Sequence, residues 1–238
     1  MEDERDAQDL LVAFHSAAHL LELSENYLIK ADFVPFAGLK STIRIDRGNR
    51  ILSARVSDGF KAASPEALLG LALELTSKVT RRKLPDAVQP FADAYQEMFD
   101  GKEAMRLHDS LRKTRGRKRK ANEKGKHVDL KTLLERVWTM YPYTFQGTLK
   151  PTVHWSRSRS RRRLAFYDSA FNAIVVSKRF DHERTPHYFI EYLLFHELLH
   201  AKHDVEYGNR KRVHHQAFKS DEKRFALYQE AQEYLKRL

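Results

Sequence analysis

No cysteine occurs in the 238 residues. Disulfides and thiolate metal sites are therefore excluded, and any metal must be held by His, Asp or Glu. Long apolar runs are missing as well. No stretch approaches the roughly 20 apolar residues that a membrane-spanning helix requires. The most apolar segment, Tyr188 to Leu199, is interrupted by Glu191. The beginning, Met1-Glu2-Asp3-Glu4-Arg5-Asp6, is acidic and has no apolar core behind a basic flank, so it does not read as a secretory signal. These absences lead us to expect a cytoplasmic protein that makes no membrane contact. The hydrophobic share of 42% is sufficient for a packed core and too high for a disordered chain. Length alone leaves open one large domain or two small ones.

The net charge of +11 is concentrated. Arg112 to Lys126 holds nine Lys or Arg against one Glu, and Arg157 to Arg163 holds five Arg and no acid. Dense positive runs attract phosphate backbones by releasing condensed counterions, so DNA or RNA is a partner to consider through both segments. The plainer reading is a solvated linker and a solvated loop. Trp155, beside the second run, is either a base-stacking residue or a core residue of a strand. The first run has no apolar periodicity and its like charges repel, which reads as a linker over 111–127 between units at 1–110 and 128–238.

The two halves share an order of elements. In the second, Leu133, Leu134, Val137 and Trp138 give Leu130 to Met140 helical spacing. Strands are expected at Leu149–Trp155, Arg163–Asp168 and Phe171–Val176. Thr185-Pro186 then reads as an N-cap and first-turn proline opening a helix that stops near Gly208. A last helix is expected from about His214 to the C-terminus, burying Phe218, Phe225, Tyr228, Ala231 and Leu235. In the first half, Leu11–Leu23 reads as helix, Thr42–Asp46 and Arg50–Val56 as strands, and Ser64-Pro65 as the start of a helix through about Val79. Val56-Ser57-Asp58-Gly59-Phe60 resembles Val176-Ser177-Lys178-Arg179-Phe180.

His196-Glu197-Leu198-Leu199-His200 carries the chemistry. Two histidines four apart project from one helix face and can bind one zinc ion. Glu197, about 100° around the helix from His196, can reach a water without becoming a ligand, as a general base must. A catalytic zinc needs a third protein ligand and an open position. Candidates are Glu206, His214, His215 and Glu222. His214 is favoured by its place one helical turn before Phe218, which would anchor the following helix and fix the imidazole. His203, seven residues after His196, suits a supporting role, and Tyr188, His203 and Tyr207 are nearby oxyanion candidates.

The first half offers no second metal site. Aligning Glu74 with Glu197 puts Leu73, Ser77 and Phe91 at the ligand positions. Aligning Pro65 with Pro186 puts Leu75, Val79 and Asp93 there. In either case the first half reads as a degenerate, non-catalytic copy.

From Leu130 to Leu238 the chain resembles the SprT-like zinc metalloproteases, a group that includes Spartan-type and YgjP-related proteins. The shared features are Val153-His154-Trp155-Ser156-Arg157, Ala173-Ile174-Val175-Val176-Ser177, His196-Glu197-Leu198-Leu199-His200-Ala201 and His214-x-x-x-Phe218. The resemblance implies zinc on His196, His200 and His214, and catalysis by Glu197. Two features depart from that family. His215 stands where a small residue is frequent, and no cysteine zinc ribbon follows, so repair of DNA–protein crosslinks does not carry over. The expectation is thus an α+β, zincin-like fold: a small twisted sheet packed on the HExxH helix, with a degenerate N-terminal copy. The expected function is a zinc-dependent metallopeptidase acting on protein or peptide substrates. The alternative is a nucleic-acid-binding protein with a structural metal site and no peptidase activity.

Overall fold

The computed structural model describes residues 2–23, 26–117, 122–203 and 213–238. The chain is α+β and divides into two compact units, residues 1–117 and 118–238. Each unit contains one three-stranded mixed sheet.

In the first unit, α1 (Glu2–Leu20) precedes β1 (Leu28–Val34), β2 (Ser41–Asp46) and β3 (Ile51–Ser57). A 3-10 turn at Asp58–Phe60 leads to α2 (Pro65–Thr80), followed by α3 (Gln89–Asp100) and α4 (Lys102–Arg115). The sheet order is β1-β3-β2, with β1 parallel and β2 antiparallel to β3. Leu52, Ala54 and Val56 of β3 face the core, while Ser53 and Arg55 alternate outward, as a half-buried strand requires. Ser64 caps α2 by accepting the Ala67 amide at 3.2 Å, with Pro65 in the first turn. At Gly70 a Cβ would stand 1.9 Å from the Phe91 carbonyl oxygen, so only glycine lets α3 approach α2 this closely.

The second unit repeats this plan. α5 (Leu130–Met140) precedes β4 (Thr152–Trp155), β5 (Ala165–Asp168) and β6 (Ala173–Val176). A 3-10 turn at Lys178–Phe180 leads to α6 (His187–Lys202), then α7 (Gln216–Glu222) and α8 (Tyr228–Lys236). The sheet order is β4-β6-β5, with β4 parallel and β5 antiparallel to β6. β6 is buried along its whole length, and Leu194, Phe195, Leu198 and Leu199 of α6 are fully buried among the core side chains.

Several expectations need adjusting. β1, with its short exposed–buried alternation, has no counterpart among the expected strands. The strands of the second unit are shorter than expected, because Ser169–Phe171 forms a 3-10 turn and Asn172 takes the left-handed conformation. The N-cap of α6 is Pro186 rather than Thr185, and it makes no side-chain capping bond. The last helix is two helices. Between them Phe225 turns into the core and the Ala226 amide donates to the Tyr141 hydroxyl at 2.9 Å. α6 is described to Lys202, so its expected stop near Gly208 lies outside the described residues.

The basic run at 111–127 is not one linker. Arg112, Lys113 and Arg115 belong to the last turn of α4, and Arg115 donates to Asp58 at 2.6 Å. Residues 118–121 lie outside the described residues. Lys126, His127 and Val128 donate their backbone amides to the buried Asp181 carboxylate at 2.7, 2.8 and 3.2 Å. That end of the run is therefore built into the second unit. Trp155 is a core residue with 2% exposure, and base stacking by it is ruled out.

Candidate metal centre

α6 presents His196 and His200 on one face, and the segment just before α7 brings His214 to them. One ring nitrogen from each of the three lies within 4.8 Å of the others. The Nε2 atoms of His200 and His214 are 3.2 Å apart. Tetrahedral zinc with Zn–N bonds of about 2.0–2.1 Å separates its ligand nitrogens by roughly 3.3–3.4 Å, so the donor set fits a zinc-sized ion. Phe218, fully buried, packs against all three rings, with centroids 5.2, 4.8 and 4.7 Å from His196, His200 and His214.

The surroundings set the protonation that a metal ligand needs. His196 Nδ1 lies 2.6 Å from Glu222 Oε1, which fixes that ring nitrogen as the donor and leaves Nε2 with its lone pair. Glu222 also accepts from the Tyr192 hydroxyl at 2.8 Å, and Gln232 donates to that hydroxyl at 2.7 Å. Burial pushes the Glu222 carboxyl up, but the bonds from His196 and Tyr192 outweigh it and hold the group below its usual range. Burial, then the neighbouring His196 and His214, push His200 down to about 3. Burial and His196 likewise lower His214. Neutral imidazoles are the metal-binding form.

Glu197 is 6% exposed and accepts a backbone hydrogen bond from Tyr167 on β5, the edge strand. Burial pushes its carboxyl up to about 7 against the opposing pull of His196, the Tyr167 amide and Arg163. A nearby cation would lower it again. Among the described residues, then, a three-nitrogen cluster and a buried carboxylate bonded to the sheet occupy one region of the second unit.

No family model, curated protein or solved structure matches this chain.

The other ligand candidates fall in different places. His215 is turned into the protein as the N-cap of α7, with its Nδ1 accepting the Phe218 amide at 3.4 Å. Glu222 supports His196 from behind. His203 sits 2.9 Å from Asp221, which also holds Lys202 at 2.6 Å and Arg224 at 3.2 Å, tying the end of α6 to α7. Tyr188 packs partly against the core. Glu206 and Tyr207 lie outside the described residues. Sequence reasoning missed Tyr192, Gln232 and the Tyr167 amide. Tyr192 stands four residues before His196 on the same helix face, and that spacing was a readable signal. Nothing in the sequence marks Gln232 or a backbone amide.

The structure also decides the alignment of the two helices. His196, Glu197 and His200 are half-buried, buried and half-buried; Leu75, Thr76 and Val79 repeat that pattern. Glu74 is instead a surface residue paired with Lys78 one turn on. The proline alignment therefore holds, with Thr76 at the Glu197 position and Val79 at the His200 position. Asp93 lies exposed within α3 and accepts from Gln89.

Proposed function

We propose that the second unit is a zinc-dependent metallopeptidase of zincin-like design. His196, His200 and His214 would hold the ion, and Glu197 would be the general base. The observation that carries the reading is the convergence of the three ring nitrogens within 4.8 Å on the helix that also bears Glu197. Zinc held there would supply a Lewis acid for the scissile carbonyl and lower the pKa of the attacking water. Glu197 accepts the proton of that water and delivers it to the leaving amine nitrogen. Glu222, held by the Tyr192 hydroxyl to which Gln232 in turn donates, fixes the orientation of His196.

The test is Glu197→Gln, which keeps shape and removes the base. With casein or peptide substrates, hydrolysis should fall at least about a hundredfold while zinc content stays at one per chain. Equal activity in variant and parent would end the mechanism. Zinc bound without turnover in either, over varied substrates, would favour a binding protein with a structural metal. The five exposed arginines between Arg157 and Arg163 keep that second reading in view.

A further inference from the structure

A groove of about 1360 Å³ in the first unit runs along β2, an edge strand of its sheet. It is lined by Phe36, Lys40, Arg44, Arg47, Arg55 and Val79, among others. Its position follows from two alignments. Val79 occupies the place of His200 on the long helix. Ile43, also in the lining, pairs with Ala54 as Tyr167 pairs with Ile174, and the Val56-Ser57 and Val176-Ser177 matches make these pairs equivalent. Val79 and Ile43 of the lining are thus the counterparts of His200 and Tyr167, while Arg44 and Arg55 stand on the outward face of the sheet.

Its chemistry is different. Four cations line it against one acid, Asp46, and both Asp46 oxygens are engaged by Asn49 at 3.0 and 2.8 Å. Among the described residues, no carboxylate forms an ion pair with Lys40, Arg44, Arg47 or Arg55. Asp32, opposite Arg55 on β1, lies on the far side of β3 from β2 and makes no such pair either. Arg44 faces Ser53 and Arg55 faces Thr42, so the two arginines are diagonal neighbours on one sheet face. Like charges so placed repel, and among the described residues no ion pair to either arginine offsets the cost. Phe36 carries Lys40 and Arg55 over its ring, each 5.6 Å from the centroid, which holds two of the cations at the groove.

We propose that this groove binds the phosphate backbone of single-stranded nucleic acid. Four cations without an ion pair among the described residues, along and beside the edge strand β2 and in a groove larger than most small-molecule sites, suit a charged strand of several repeating units. The inference does not rest on the peptidase reading. It gives the first unit a binding groove of its own along the edge strand β2.

The test is the full chain with Arg44, Arg47 and Arg55 changed to Gln, titrated with a fluorescent single-stranded oligonucleotide over a range of salt. Affinity should fall at least about tenfold, and the salt slope should flatten by roughly 2, at about 0.7 per lost contact on a single strand. Zinc content should not change. Arg159, Arg161 and Arg162 changed to Gln, an equal loss of charge in the second unit, should weaken binding less. A groove variant with unaltered affinity and slope, or a second-unit variant that loses more, would overturn the proposal. So would tighter binding of a duplex of equal length. Should the triple variant fold poorly, acetylation of Lys40 in the unaltered protein gives a second readout. The oligonucleotide should protect Lys40, and equal labelling with and without it counts against the site.

Discussion

The two units share one topology and differ in how each treats its long helix. In the first, α3 packs closely on α2. Gly70 admits the backbone of α3, Thr76 is fully buried, and eight residues separate the end of α2 from the start of α3. In the second, the place of Gly70 is taken by Glu191, which is buried and lies 3.2 Å from Arg136 on α5. Thirteen residues lie between Lys202, to which α6 is described, and the start of α7, and His214 among them stands beside His200. The same scaffold therefore supports a helix with Thr76 and Val79 at these positions or one with Glu197 and His200. The choice turns on a few side chains and on the length of one connection, because the sheet and the buried leucines serve both outcomes equally.

Changes at equivalent positions put this contrast to the test. The largest difference is expected from removing a ligand. His200→Ala should reduce zinc from one per chain to a small residue, whereas Val79→Ala should leave it unchanged, as elemental analysis after gel filtration would show. Zinc retained at full stoichiometry in His200→Ala would place the metal elsewhere.

A smaller effect is expected one step out from the ligands. Glu222→Ala removes the acceptor that fixes His196 and should weaken zinc binding by roughly tenfold to a hundredfold, the usual cost of losing such a support. Glu74→Ala removes only an exposed pairing with Lys78 and should not alter zinc affinity. Competition against a chelator measures both. Equal affinities in the two variants would leave Glu222 without a role at the centre.

The smallest effect concerns the starts of the two helices. Ser64→Ala removes the capping bond of α2 and should cost about 1 kcal/mol in urea unfolding. Thr185→Ala removes no capping bond, since α6 begins at Pro186 without one, and should cost less. Equal costs would mean that the two helices start in the same way after all.

Much of this was legible without coordinates. The helical spacing of Leu133, Leu134 and Val137 marked α5 at its observed bounds, and Ser64-Pro65 marked the start of α2. Local capping and periodicity act over a few residues, so local sequence records them. The break between α7 and α8 was not legible, since both halves carry helical spacing and only the insertion of Phe225 into the core interrupts them. β1 was missed because its alternation is short. The basic run was misjudged as a single linker because its ties to Asp58 and Asp181 span 57 and 55 residues.

By itself the sequence determined the donor chemistry. Without cysteine the candidates were histidines and carboxylates, and the spacing of His196 and His200 put two of them on one helix face. It also determined that the first half lacks those donors under either alignment. The choice among Glu206, His214, His215 and Glu222 depends on where a chain segment returns after the helix, and side-chain spacing holds no record of that path. Tertiary structure brings His214 to His200, turns His215 inward as a cap and sets Glu222 behind His196. It likewise settles the alignment of the two helices, because burial is a property of what packs against a helix. Only the packed unit reveals that Thr76, and not Glu74, stands in the place of Glu197.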